Sequence, residues 1–451
     1  MEPRNLALKI LLSPCSSPGQ LGKNFEQAME SYPGISERDK SFIAHIIYGV
    51  TRWRHRIDYI LSLVMSRSLA SLDIRLLVLL RMAVYQILYL DRVPDFAVVN
   101  EAVKMTKFLN IKYSSGLVNG VLRTICRKKF LLGDIEDQNT ITKTFSIKYS
   151  YPEWLIEKWV QEMGGAETEK LLSAANRYPG IALRTNTCLI NRQELKDMLE
   201  AEGIMAEPSK YAPEGLIIQK LTQSVASLLP YRKGFFTVQG EASQIASSLL
   251  PVSEGDLVAD ICSGLGGKSL AIADKVGQNG SILSIDCSSH KRKLFEQNID
   301  RLGIKNITLI TADATLDMNY LFVRKSADAV LLDAPCSGLG NIGRYPDAKW
   351  NRTPEDINRL ASMQKKILNR ASEILRPGGY LLYLTCTISK DENDNVIEDF
   401  LKIKTNFEQI HLRGTVPENQ TELIDKHGFL RILPHLHNIE GFFGALMLKT
   451  F

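Results

Sequence analysis

Apolar positions in the first third of the chain recur at three- and four-residue spacing. Phe42, Ile43, Ile46, Ile47 and Val50 form one stripe, and Leu76, Leu77, Leu80, Val84, Ile87 and Leu88 another. That period puts side chains on one face of a helix. Further helices are predicted over 96–109 and 115–127, joined by short connections at 92–94 and 110–114, as in a helical bundle. Polar residues Asp134, Glu136, Asp137 and Asn139 then mark a linker, and an amphipathic helix follows up to Met163. Strand-like runs at 181–184 and 216–218 flank a helical run at 193–202, the pattern of a small α+β module. From Phe235 onward short apolar runs at 256–261, 281–285, 307–310, 327–332 and 380–384 alternate with helical stretches. This alternation predicts a doubly wound parallel sheet covered on both faces. The fold class expected is multidomain: an all-α bundle over 1–133, a linker over 134–150, a small α+β module over 151–234, and an α/β doubly wound domain over 235–451.

Composition adds limits. The 451 residues are 45% hydrophobic and 23% charged, ordinary for a soluble globular protein of two or three domains. The most apolar region, 69–90, is broken by Asp73, Arg75 and Arg81, which excludes a simple membrane span there. No secretory leader pattern opens the chain, and seven cysteines without regular spacing favour a reducing compartment, so a cytoplasmic location is expected; the chain is also expected to be a monomer. No His/Cys grouping has zinc spacing, so no metal is expected. Net charge is +5, but residues 1–133 hold 19 Lys+Arg against 10 Asp+Glu, hence +9, leaving −4 for the rest. A basic first third suggests a polyanionic partner, with a merely solvated basic face as the competing reading. Arg52, Arg54 and Arg56 form one run beside Trp53 and Tyr59, which offer stacking surfaces for bases. Arg184 and Asn186, at a strand end, fit RNA contact and turn hydrogen bonding equally well.

The chemistry concentrates in two stretches. Asp333-Ala334-Pro335-Cys336-Ser337-Gly338 follows the run 327–332, and Thr385-Cys386-Thr387 follows 380–384. Each puts a cysteine beyond the carboxyl end of a strand, where open α/β sheets hold ligands. If the strands are neighbours, ~4.8 Å apart, the two thiols flank one flat substrate. Upstream, Asp260 precedes the turn Gly264-Leu265-Gly266-Gly267-Lys268, Asp286 stands at the end of the next strand, and Asp313 follows the one after. A glycine turn with an acidic residue on the following strand suits a nucleoside cofactor. Three carboxylates and a lone lysine favour a cationic ligand such as S-adenosylmethionine; spacing alone leaves a nicotinamide dinucleotide open. A thiolate adds readily at C6 of cytosine, which makes C5 nucleophilic towards a methyl sulfonium, and a second acid/base group must then release the product. Asp333, Cys336 and Cys386 can supply those parts together. Cys15, Cys126, Cys188, Cys262 and Cys287 take packing or loop roles.

At these residues the chain resembles the RNA 5-methylcytosine methyltransferase family. Phe236-Thr237-Val238-Gln239 and Gly441-Phe442-Phe443-Gly444-Ala445 support the resemblance, and Asp347-Ala348-Lys349-Trp350 narrows it to the B-type subgroup acting on small-subunit ribosomal RNA. Tyr48-Gly49-Val50-Thr51-Arg52, the Val93-Pro94 turn and 116–123 resemble a NusB-like RNA-binding domain. The resemblance implies that Cys386 is the nucleophile, that Cys336 assists breakdown of the covalent adduct and that Asp333 contacts the base. It also implies that Cys262, Ser263, Gly264, Leu265, Gly266, Gly267, Lys268, Asp286, Asp313 and Asp333 line an S-adenosylmethionine pocket. The family's turn reads Ala-Ala-Pro-Gly-Gly-Lys, whereas this chain has Ser263-Gly264-Leu265-Gly266-Gly267-Lys268. Losing the proline loosens the free loop, so weaker cofactor binding is expected. Gly343-Arg344 stands where the subgroup has an arginine pair, leaving Arg344 as the phosphate contact. The competing functions are the same chemistry on transfer RNA, a non-catalytic RNA-binding assembly factor, and, remotely, a dinucleotide-dependent dehydrogenase.

Overall fold

The amphipathic stripes of the first third enclose a single apolar core. In a computed structural model, which describes residues 2–129, 139–221, 223–322 and 326–451, helices run over Pro3–Leu12, Gln20–Ser31, Glu37–Arg52, Arg54–Val64, Ile74–Tyr89, Asp95–Phe108 and Ser115–Lys128. Ser36 caps the third of these by accepting from Asp39 N–H, and Asp73 caps the fifth through Arg75 N–H, each satisfying a donor that has no partner within its helix. Ile43, Ile46, Ile47, Leu79, Leu80, Val84, Val118 and Leu122 are buried among these helices.

The region expected to be a linker is partly structured. Residues 134–138 lie outside the described residues, but Ile141–Tyr149 is a helix, capped by the Thr140 side chain and burying Phe145 and Ile147. Polar residues at 134–140 hid a short amphipathic turn that only packing makes favourable. Helices Glu153–Met163 and Gly165–Ala175 follow, burying Leu155, Ile156, Trp159, Leu171 and Leu172.

The chain divides into two units, Met1–Arg177 with Ile342–Arg352, and Tyr178–Asn341 with Thr353–Phe451. In this division helices Ile141–Tyr149, Glu153–Met163 and Gly165–Ala175 fall in the first unit. The inserted segment Ile342–Arg352 is held in the helical unit by helix ends. Asp347 accepts from Leu21 N–H at 3.4 Å, at the start of Gln20–Ser31. Lys349 donates to Arg52 O at 2.9 Å, and Trp350 Nε1–H to Thr51 O at 2.7 Å, at the end of Glu37–Arg52. An anion at a helix start and a cation at a helix end each meet the dipole with favourable sign. Lys349 is fully buried, its ammonium 3.8 Å from the Tyr151 ring centroid, and burial pulls its pKa well below the usual lysine range.

In the second unit, β1 (Ile181–Thr185), β2 (Ala206–Pro208), β3 (Gly215–Ile218) and β4 (Phe236–Val238) form an antiparallel sheet in the order β2-β3-β1-β4. Helix Arg192–Ala201, opened by an Asn191/Glu194 capping box, buries Leu195 and Leu199 against it. The larger sheet contains β5 (Leu257–Ile261), β6 (Ser281–Asp286), β7 (Ile307–Thr311), β8 (Ala327–Asp333), β9 (Leu375–Thr385), β10 (Phe407–Ile410), β11 (Leu430–Ile432) and β12 (Phe442–Lys449). Its order is β10-β12-β9-β8-β5-β6-β7, with β11 beside β12. Strands β5 to β9 pair in parallel as expected, and β10, β11 and β12 add an antiparallel edge that the alternation did not reveal. Thr353 and Asp356 form a capping box, with Pro354 in the first turn, for the long helix Pro354–Ile374. The Pro377-Gly378-Gly379 stretch lies inside β9, which begins at Leu375. No helix among the described residues is long and apolar enough to cross a membrane.

Candidate active site

Strands β8 and β9 lie side by side with Asp333 opposite Leu384, so their carboxyl ends release two loops at one edge of the sheet. Ala334 N–H donates to Leu384 O at 2.9 Å, which ties the first loop to the end of the second strand. Cys336 Sγ and Cys386 Sγ come to 3.2 Å. Glycine makes that approach feasible: Gly340 N–H donates to Cys386 O at 3.1 Å and Gly441 N–H to Gly340 O at 2.8 Å. A Cβ on Gly340 would stand 2.2 Å from Gly441 O and 2.9 Å from Cys386 O, closer than any side chain tolerates. The Cys386 hydrogen bond, burial and nearby negative charge push the Cys336 thiol well above the usual cysteine range.

Lys268 reaches the same edge. Its ammonium lies 2.5 Å from Asp333 Oδ2. Burial pulls its pKa down, but Asp333, Asp260 and Cys386 more than offset that, so the net shift is upward and it stays a cation. A fixed positive charge beside Asp333 and the Cys386 thiol favours an anion developing there.

The glycine turn is built from left-handed backbone, open to glycine and sparsely used by other residues. Cys262, Gly264 and Gly266 all have positive φ, at 62°, 59° and 80°. A Cβ on Gly266 would fall 1.9 Å from the Phe295 ring, so this position admits only glycine. Asp286 Oδ2 accepts from Gly264 N–H at 2.9 Å and its Oδ1 from Ser288 N–H at 2.8 Å. Ser288 thus stands at the start of helix Ser289–Leu302 without its side chain serving as the cap. Ser263, Gly264, Ser284, Asp286, Ser288, Phe295 and Thr311 line one cleft over β6 and β7. A carboxylate with spare acceptor capacity beside exposed backbone fits the ribose of a nucleoside cofactor. Gly267 opens helix Gly267–Val276, and Leu265, in place of the family proline, is 51% exposed on the turn.

Asp260, Cys262 and Asp313 differ in their surroundings. Asp260 is fully buried, bonded to the Ser269 hydroxyl, which in turn contacts Ser284 Oγ at 2.8 Å. It anchors the turn from beneath and does not line the cleft; burial pushes its carboxyl up to about 7. Cys262 stands in the turn itself, and burial raises its thiol pKa far above the usual cysteine range. Asp313 is exposed, and its carboxylate accepts from Thr315 N–H and Oγ1–H at 2.9 and 2.8 Å, a local turn that lowers its pKa.

The basic candidates separate in the same way. Arg184 is buried and donates to Gln239 Oε1 at 2.9 Å, and Asn186 donates to Gly234 O at 3.0 Å, so both brace the small sheet and are corrected from RNA contacts to structural bonds. Arg52 donates to Gly343 O at 2.6 Å, holding the inserted segment that also carries Arg344. Arg54 is exposed with its guanidinium 4.7 Å from the Trp350 ring centroid, and Arg56 lies 5.8 Å from that of Trp53. Trp53 itself stacks on Tyr89 at 5.3 Å, which ties it to the bundle. The sequence reading passed over Glu392 and Asn393, buried behind both cysteine loops; the polar residues following Cys386 gave no periodic signal to mark them.

Comparison with known proteins gives matches along most of the chain. Residues 247–448 match the 16S rRNA methyltransferase RsmB/F family, residues 1–127 the NusB family, and 151–225 the ferredoxin-like domain of RsmF/B-like methyltransferases. A probable ribosomal RNA small subunit methyltransferase B of Bacillus subtilis is 34% identical over 417 residues, covering 92% of each chain. The chain belongs to the RsmB/F family of 16S rRNA methyltransferases. A probable methyltransferase B of Synechocystis is 31% identical over the full length of both chains. Among solved structures, that of PH0851 superposes with a TM-score of 0.81 at 26% identity, covering 99% of this chain and 97% of the other. A methyltransferase homolog from Pyrococcus horikoshii, 24% identical with a TM-score of 0.59 over 70% of this chain and all of the other, shares the fold. RsmB/F proteins are S-adenosylmethionine-dependent methyltransferases.

Proposed function

We propose that this RsmB/F chain methylates C5 of a cytosine in small-subunit ribosomal RNA through a covalent adduct between Cys386 and C6 of the base. The observation that carries the reading is the 3.2 Å approach of Cys336 and Cys386 at the ends of adjacent parallel strands. At their cleft, Gly264 and Asp286 would hold S-adenosylmethionine, which would supply an electrophilic methyl group. Cys386, as thiolate, forms the S–C6 bond while electron density moves to C5. Asp333, oriented by Lys268 at 2.5 Å, hydrogen-bonds the edge of the base where charge develops. After methyl transfer the C5 proton is removed, the C5–C6 double bond re-forms, and Cys386 leaves as thiolate. Cys336 beside it serves the proton step of that release. The cytosine must be unpaired or swung out of a helix to enter. Arg54 and Arg56 on the helical unit and Arg344 on its inserted segment contact the RNA backbone in this reading.

Cysteine replacement tests the assignment. Cys386→Ala is expected to abolish methylation, whereas Cys336→Ala retains a protein–RNA adduct that survives denaturing electrophoresis. Bisulfite sequencing of ribosomal RNA with and without the active protein locates the cytosine, and full activity of Cys386→Ala removes the proposal.

A further inference from the structure

Both cysteine loops close on one buried carboxylate that the proposed reaction does not use. Glu392 is fully buried. Its Oε1 accepts from Ser337 N–H at 2.8 Å and from the Gln364 amide at 3.0 Å. Its Oε2 accepts from the Ser337 hydroxyl at 2.5 Å, with the Thr387 hydroxyl at 3.3 Å. Ser337 follows Cys336 and Thr387 follows Cys386, and their hydroxyl oxygens lie 2.8 Å apart. Gln364 also donates to Pro335 O at 2.9 Å, so the first loop is held on both sides of its cysteine. Asn393 repeats the pattern on the second loop, accepting from the Thr385 hydroxyl at 2.6 Å and donating to Thr387 O at 3.0 Å.

We propose that Glu392 is the positioning residue of this site, fixing the backbone next to each cysteine so that the two sulfurs remain in contact. This rests on the reading of the two cysteines given above. Burying a carboxylate without a paired cation is costly, and the four donors offset that cost only when all are aligned. The same loss of solvent raises the Glu392 pKa, while the hydrogen bonds from Ser337, Gln364 and Thr387 oppose the rise. As an acceptor for all four, Glu392 carries its charge beside Cys336. The charged or titratable groups around that thiol are Cys386, Glu392 and the Tyr383 phenol of β9, with Lys268 towards Cys386 and Asp333 and Asp260 around the lysine. Negative charge thus faces Cys336 and positive charge faces Cys386. The charge of Glu392 raises the basicity of Cys336, the group that serves the proton step of release.

The test uses the full chain with Glu392→Ala and Glu392→Gln. Methyl transfer is measured, and alkylation of each cysteine by iodoacetamide is followed against pH by mass spectrometry. Glutamine keeps an acceptor for Ser337 N–H and Gln364 and offers its amide to the two hydroxyls, so it preserves the tie and removes the charge. Expected for alanine is a fall in kcat of about 10²-fold, the scale of a 1 Å misplacement, with KM for S-adenosylmethionine unchanged. For glutamine, kcat falls by less than about tenfold and the alkylation midpoint of Cys336 moves to lower pH. Wild-type kcat in the alanine variant overturns the proposal, as does a glutamine variant that loses about 10²-fold in kcat despite keeping the tie, an outcome that decides the matter even where the alanine variant does not fold. An equal shift at both cysteines, with melting temperature lowered in step, likewise overturns it and leaves Glu392 a structural residue only. If the wild-type protein methylates no cytosine, the proposed reaction fails, and the alkylation profiles still decide the role of Glu392.

Discussion

Replacing Asp260 with asparagine tests how the floor of the cofactor turn is built. The carboxyl at the end of β5 is fully buried, and the Ser269 hydroxyl donates to it from helix Gly267–Val276. Burial dominates its titration and pushes it from 3.8 to about 7, with Ser269 and Lys268 pulling the other way and Asp333 adding to the rise. At about 1.36 kcal/mol per pH unit, that displacement corresponds to about 4 kcal/mol against the ionised form in the folded protein. The sign follows from linkage. A carboxyl whose folded pKa lies above its unfolded one contributes stability that is fully present below pH 3.8 and is lost as pH rises through about 7. Asparagine has no proton to lose, so Asp260→Asn should be favoured increasingly over wild type as pH rises, by about 2 kcal/mol between pH 5.5 and pH 8. Urea unfolding of both proteins, followed by circular dichroism at the two pH values, reads this difference directly and cancels the contributions of other groups. Parallel pH dependence, or a wild type that strengthens against the variant as pH rises, would mean that Asp260 is comfortably ionised and refute the account.

Other substitutions probe separate contacts. Gly340→Ala drives a Cβ to 2.2 Å from Gly441 O, and because the obstacle is backbone the loop must move; a loss of about 2–3 kcal/mol in unfolding free energy is expected, together with reduced methyl transfer. Leu265→Pro restores the family residue on an exposed turn and should tighten S-adenosylmethionine binding about 2–5-fold by calorimetry, since a stiffer free loop loses less entropy; weaker binding would show that the leucine conformation excludes proline. Lys349→Ala removes a buried stem and strands Arg52 O and the Asn176 side-chain oxygen. Thermal unfolding should show the helical unit about 3 kcal/mol less stable, and an unchanged melting temperature would mean the segment is not anchored there.

The helices of the first unit were legible because their signal is local. A buried stripe such as Ile43, Ile46, Ile47 and Val50 is spaced by the helix itself, whatever packs against it. The parallel strands and the cysteines at strand ends were readable for the same reason. Tertiary structure decided the rest. That β8 neighbours β9, and so brings Cys336 to Cys386 across 50 residues of chain, depends on strand order, which no contiguous pattern encodes. The inward turn of Arg184 and Asn186, the burial of Asp260 beneath its turn and the position of Glu392 behind both loops depend equally on what lies opposite them. Helix Ile141–Tyr149 was missed because its stability comes from burying Phe145 and Ile147, not from propensity. Periodicity belongs to neighbours in sequence, whereas a site is made by residues that meet only after the sheet has closed.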